Sequence, residues 1–120
     1  MLAHITSLQA WELARSAGVY EAHSLRTDGF IHCSTFSAEQ LLAVADHGYA
    51  GQTGLLLLLI DPERLTSEVR YETDEESGLK FPHVYGPIDR AAVTAVLDFP
   101  AQPDGTFRLP DLAAKVPSGS

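Results

Sequence analysis

The densest chemistry in the sequence lies in two short stretches, GFIHCST at residues 29–35 and FPHVYG at residues 81–86. The first sets His32, Cys33 and Ser34 behind the apolar pair Phe30-Ile31. Side chains alternate along an extended chain, so Phe30, His32 and Ser34 share one face while Ile31 and Cys33 share the other. The apolar face goes to a core, which leaves His32 and Ser34 directed together at something polar. LAHIT, residues 2–6, repeats the arrangement, with Ala3 and Ile5 on one side and His4 and Thr6 on the other. An imidazole with a hydroxyl two residues on, presented by each of two strands, is equipped for acid–base work near neutral pH and for orienting a ligand. The same spacing also describes two hydrogen-bonded, partly buried histidines without any ligand.

In FPHVYG, the Phe-Pro pair and the closing Gly86-Pro87 hold His83 and Tyr85 in a rigid, non-helical segment. His83 is a candidate general acid or base, and Tyr85 a candidate stacking or hydrogen-bonding group. No carboxylate adjoins either in sequence to fix a tautomer. Histidines at 4, 23, 32, 47 and 83, with Cys33, supply metal-ligand types but show no HxxxH or CxxC spacing. His32 and Cys33 also point opposite ways, so no metal is expected. Cys33, aimed into apolar surroundings, is a poor nucleophile. His23 and His47 read as loop and helix-end surface residues, and Asp74-Glu75-Glu76 as a solvated run.

The chain around these residues is 120 long, 45% hydrophobic and 20% charged, which suits one folded domain. Its 16 acidic against 8 basic residues give a net charge of −8. Such a surface repels phosphate backbones and argues against general nucleic-acid binding, while leaving room for a local pocket. A lone Cys33 cannot form an internal disulfide, which fits a reducing compartment. The opening MLAHITSLQAWELARS has polar breaks and an acidic residue, unlike a signal peptide. The longest apolar run, residues 55–60, is too short to span a bilayer. A soluble cytoplasmic protein with a small-molecule partner is the expectation.

Two helices and several short strands must position the candidates. Ser7 caps a helix reaching Ala17, with Ala10, Leu13, Ala14 and Ala17 on its stripe, Trp11 beside it and Gly18 ending it. Ser37 and Gln40 form a capping-box pattern before a second helix carrying Ala38, Leu41, Leu42, Ala45 and Tyr49. Strands are predicted at residues 2–5, 29–33, 55–60, 68–72 and 91–99, with residues 55–60 covered on both faces. Residues 19–28 read as a loop, and residues 81–85 as an edge strand or ordered loop because of Pro82. The order indicates an α+β fold with a mainly antiparallel, split or strongly curved sheet and two main helices. The expected division is a globular domain over residues 1–99 and a surface tail, partly flexible, over residues 100–120. Glycine-rich phosphate loops are absent.

Four motifs stand in order: His4-Ile5-Thr6, Trp11-Glu12-Leu13-Ala14, GFIHCS at residues 29–34 and FPHVYGP at residues 81–87. In these the chain resembles a family of short, mostly bacterial proteins of unknown function, over roughly residues 1–99. That family is similar in fold to the ADP-ribosyltransferases, whose split β-sheet holds NAD in a cleft. The resemblance implies that His4 contacts the ribose of an NAD or ADP-ribose-like ligand. It also implies that His32-Cys33-Ser34 matches the His-x-His-x-Ser strand of the RNA 2′-phosphotransferases, and that His83 lies near the third strand, where many transferases place a catalytic Glu. No Glu stands at that third position here; Glu72, on a neighbouring strand, could substitute, and Arg26 is the candidate for the arginines of the RNA branch.

Two readings follow. In one, a small transferase or hydrolase acts on NAD, ADP-ribose or a phosphorylated nucleotide, with His32 and His83 catalytic and His4, Thr6, Ser34 and Tyr85 holding the ligand. In the other, the cleft is a non-catalytic nucleotide or small-metabolite binding module.

Overall fold

Leu55–Ile60 forms a strand with neighbours on both sides, and the rest of the protein is arranged about it. The computed structural model describes residues 1–110. Its elements are β1 (Leu2–Ser7), α1 (Leu8–Ala17), β2 (Val19–Tyr20), α2 (His23–Thr27), β3 (Ile31–His32) and β4 (Ser34–Thr35), then a π-helical turn (Ala38–Leu42) running into α3 (Ala43–Gly48). β5 (Leu55–Ile60), β6 (Glu68–Thr73), β7 (Lys80–Tyr85), β8 (Ile88–Asp89) and β9 (Val93–Asp98) follow. The strands form three sheets, ordered β4-β1-β5-β9, β3-β7-β6 and β2-β8. Every pairing among the described residues is antiparallel, so the fold is α+β. No helix among them is long and apolar enough to cross a membrane.

Period-two alternation on β1 and β5 builds two cores, one on each face of the four-stranded sheet. Leu2, Leu58 and Ile60 join Trp11, Tyr20, Ile31, Val84 and Ile88 on one face. Ala3, Ile5, Leu57 and Leu59 join Leu41, Ala45, Phe99 and Phe107 on the other. Each fully buried leucine contributes about 2 kcal/mol, and a strand covered on both faces explains why residues 55–60 are apolar without alternation.

Local signals set the helix ends. The Ser7 side chain accepts from Ala10 N at 3.1 Å, and Gly18, at φ 84°, donates its N–H to Ala14 O as the left-handed cap. The α1 stripe differs from the expected one: Trp11 and Ala14 are buried, whereas Leu13 is 71% exposed. The large indole sets which way the helix turns, and Leu13 lies off that side. Ser37 caps the next helix through Gln40 N as expected, but the Gln40 side chain does not close a capping box. Its Oε1 accepts from Thr35 N at 2.9 Å and its Nε2 donates to Lys80 O at 2.7 Å, tying β4 to β7 across two sheets.

Four other expectations change. Residues 19–28 contain β2 and α2, because Tyr20 finds a core position and a strand partner in β8. The strand expected over residues 29–33 is only two residues long, and the chain passes at Cys33 from the three-stranded to the four-stranded sheet. β7 is the middle strand of its sheet despite Pro82. The Pro82 carbonyl accepts from Cys33 N at 3.1 Å, so its missing N–H faces the same way, toward the end of β3 and not into the β6 ladder. Finally, the tail expected from Pro100 is anchored: Phe107 is 4% exposed, stacks on Phe99 at 4.9 Å and donates its N–H to Asp46 Oδ1. Residues 111–120 of that expected tail lie outside the described residues.

Candidate functional site

The outer face of the three-stranded sheet collects the polar side chains. In register, His32 pairs with His83 and His83 with Arg70, Glu68 lies opposite Tyr85, and Glu72 lies opposite Phe81. The alternate residues Ile31 and Val84 are fully buried, with Val69 packed against the core beside them. One sheet therefore holds an apolar face inward and a histidine-bearing face outward.

Each of the two histidines is held by a carboxylate. His83 Nδ1–H donates to Glu72 Oε1 at 2.7 Å, and the same oxygen accepts from the Tyr85 hydroxyl at 2.6 Å. His32 Nε2–H donates to Asp28 Oδ2 at 2.9 Å. These bonds hold the Glu72 and Asp28 carboxyls below the usual carboxylate range; for Glu72 the Tyr85 bond contributes most and His83 next. Donating to that anion raises the Tyr85 phenol in turn. The two imidazoles meet edge to face at 5.3 Å between centroids, and Phe30 stacks on His83 at 4.2 Å. Arg70 lies 4.4 Å over the Tyr85 ring and pairs with Glu68.

His4 and Thr6 meet a different environment. Both point from β1 into the covered side of the sheet and are 8% and 7% exposed. A carbonyl can only accept, so His4 Nδ1–H donates to His32 O at 2.7 Å. That leaves His4 Nε2 to face the Tyr20 hydroxyl at 2.8 Å, and Tyr20 Oη is also 2.8 Å from Thr6 Oγ1. Burial lowers the His4 pKa to about 4, against the opposing pull of the His32 carbonyl, and raises that of Tyr20 to about 12. Ser34 is 3% exposed, opposite Ala3 in β4. Cys33 is buried, and desolvation pushes its thiol up to about 12.

A cleft of about 920 Å³ opens between α3 and the β6–β7 turn. His32, His83 and Phe81 line it from the sheet, Val44, His47 and Tyr49 from the helical side, and residues 73–77 from the turn. Of the six expected site residues, the structure brings His32 and His83 to the cleft. Tyr85 lies on the same sheet face beyond the cleft lining, while His4, Thr6 and Ser34 are inside. Arg26 is in the last turn of α2 and exposed. Phe30 does share the His32 face, but Ser34 does not, because the chain changes sheets at Cys33.

Sequence reasoning assigned no site role to Asp28 or Arg70 and read His47 as a surface residue. Glu72 was legible only as a possible stand-in, although EVRYE alternates so that Glu68, Arg70 and Glu72 share a face. Folding that strand against FPHVY as a hairpin would have placed them beside His83. Among the described residues, no group of three or more His, Cys, Asp or Glu side chains converges as a metal-ligand set. An imidazole whose Nδ1–H is held by a carboxylate has its tautomer fixed, with Nε2 presented on the other side of the ring. The histidine face is equipped for proton transfer.

These features define a small α+β domain with carboxylate-oriented histidines at an open cleft. Residues 5–96 match the family described as "Protein of unknown function (DUF952)", and the chain belongs to it. It is similar to protein CC0527 from Caulobacter crescentus: the crystal structure is 31% identical, covers 94% of this chain and 97% of that one, and superposes with a TM-score of 0.81. The solution NMR structure of the same protein is 32% identical over 90% of this chain and 91% of that one, with a TM-score of 0.75. No curated protein matches the chain.

Proposed function

We propose that the cleft is the site of a small transferase or hydrolase acting on NAD, ADP-ribose or another phosphorylated nucleotide, with His83 and His32 as its acid–base pair. The observation that carries this reading is the registered pair of histidines, 5.3 Å apart, each oriented by its own carboxylate and both facing the cleft. Such orientation leaves one nitrogen of each ring for the ligand, and a positioned acid or base contributes about 10²–10⁴-fold to a rate. The ligand class comes from the resemblance to the ADP-ribosyltransferase fold. In this proposal Glu72 takes the carboxylate role through His83, and Tyr85 orients Glu72. His4 supports the ligand site from behind through the backbone of His32, and Thr6 acts on His4 through Tyr20.

The alternative, a non-catalytic binding module, is favoured by one detail: Glu72 Oε1 is already engaged by two donors, which suits a positioning group better than one that meets substrate. A panel of NAD, ADP-ribose and nucleotides, followed by imidazole NMR and by chromatography of the products, separates the readings. Turnover that His83→Ala abolishes while the fold persists supports the enzyme. Binding that shifts the His32 and His83 resonances without any product supports the module. If no compound moves either ring, the cleft is not a nucleotide site.

A further inference from the structure

We infer that β6 is an assembly edge, and that its partner is β6 of a second copy of this chain, paired antiparallel about a two-fold axis with Tyr71 opposite Tyr71. β6 ends the three-stranded sheet, so one side of it has no strand neighbour among the described residues. Pro82 shows which backbone groups lie on that side. Its carbonyl accepts from Cys33 N, toward β3, so the Tyr71–Pro82 pair is not hydrogen-bonded across the β6–β7 ladder. Tyr71, and with it Val69 and Thr73, therefore directs N–H and C=O outward, where no described residue meets them.

The other sheet edges are blunted and this one is not. β2, β3, β4 and β8 are each two residues long, and the register of β9 on β5 breaks at Leu59 and Ile60. Short strands and bulges are the usual guards against edge pairing, as are proline and lysine. EVRYET holds neither residue and keeps unbroken register from Glu68 to Thr73. Tyr71 adds an aromatic ring, 53% exposed, on the face opposite the histidines.

Charge selects the partner and the register. With Tyr71 opposite Tyr71, Val69 meets Thr73, so every outward residue of the strand finds an outward residue. Arg70 of each copy then faces Glu72 of the other, an opposite-charge pair made twice by symmetry. Arg70 uses Nε and Nη2 on Glu68, and Glu72 uses Oε1 on His83 and Tyr85. Arg70 Nη1 and Glu72 Oε2 are left to join the copies without breaking either set. Glu68 and Asp74 meet only at the strand ends, where Arg70 and Ser77 already hold them. The nearest registers of the same parity set Arg70 against Arg70 or Glu72 against Glu72, and like charges directly opposite are destabilising. The joined sheet runs from β3-β7-β6 into β6-β7-β3, with both histidine faces on one side and a second-copy guanidinium beside each Glu72.

Sedimentation velocity on the full chain tests this. The wild type should pass from monomer to dimer between about 5 and about 500 µM, the range expected of a small interface. Tyr71→Pro removes an outward N–H, leaves the β6–β7 bonds in place, and should keep the chain monomeric throughout. Arg70→Glu, at an exposed side chain, should weaken the dimer by at least about tenfold. R70E/E72R exchanges the charges across the axis and should recover most of that loss. Melting curves check that each variant is folded, and R70E carries the test if Tyr71→Pro is not. A wild type that stays monomeric at about 500 µM overturns the inference. So does a dimer that R70E leaves as tight as the wild type, because its interface then lies elsewhere. A double variant no tighter than R70E rejects the register, and the inference with it.

Discussion

LAHIT and GFIHCST carry the same pattern, a histidine with a hydroxyl two residues on, yet their histidines end in opposite surroundings. The His4 residue is 8% exposed, with a partner on each nitrogen, whereas the His32 side chain is 56% exposed and, among the described residues, held at one nitrogen. The strands differ in what covers them. β1 lies between β4 and β5 with a core on each face of its sheet, while β3 is the edge of a three-stranded sheet covered on one face. Where the polar face is covered, the ring must be neutral and fully partnered, since an unpaired buried polar group costs about 1–3 kcal/mol. Where it is open, a carboxylate can orient the ring and leave a nitrogen free for chemistry.

Substituting each histidine gives the largest contrast. His4→Ala should lower stability by about 3 kcal/mol, since it empties a core position and strips partners from Tyr20 and from the His32 carbonyl. His32→Ala, at a side chain 56% exposed, should cost no more than about 1 kcal/mol. Urea denaturation measures both, and equal losses would end the distinction between a core and a site histidine.

Acid should reveal the same difference. The His4 pKa is about 4 in the folded chain against an ordinary 6.5, so between these values the unfolded chain binds the extra proton. Stability is fully present above pH 6.5 and falls as pH drops toward 4. The loss amounts to about 3 kcal/mol. Glu72 and Asp28, whose pKa values are lowered, contribute stability that is lost only below the usual carboxylate range. Melting curves across this window should therefore slope in the wild type and flatten in His4→Gln; an unchanged slope would show that another group titrates.

A smaller effect is expected at the other end of the buried network. Tyr20→Phe removes the hydroxyl between His4 and Thr6 and should cost about 1–2 kcal/mol. A change within error would mean that the chain of bonds adds nothing beyond packing.

Glu72→Gln should move stability least and chemistry most. It removes the anion that accepts from His83 Nδ1–H and the Tyr85 hydroxyl. Nitrogen-15 NMR should show the His83 tautomer balance shift while the melting temperature stays near that of the wild type. An unchanged spectrum would remove Glu72 from the site.

Much of the frame was legible from local chemistry. Ser7 and Gly18 bound α1 as their side-chain and backbone preferences require. The residue 55–60 run was readable as a doubly covered strand because only such a strand is apolar without alternation. Period two placed Cys33 inside and Phe30 with His32. What failed was non-local. Pro82 argued against a middle strand until its missing N–H was seen to face the place where β3 ends. Gln40 looked like half of a capping box until Thr35 and Lys80, from two different strands, took its amide. Phe107 looked like tail until it met Phe99.

The same division runs through the site. Sequence alone determined that His32 and His83 would be polar residues on short, extended segments, because alternation and turn residues act over a few positions. Whether those faces would be open, and which carboxylates would hold them, was decided by tertiary structure. Glu72 reaches His83 through a hairpin, and His4 loses its proton to burial under elements far away in the chain. Side-chain direction is a property of neighbouring residues; solvent exposure and electrostatic environment belong to whatever packs on top.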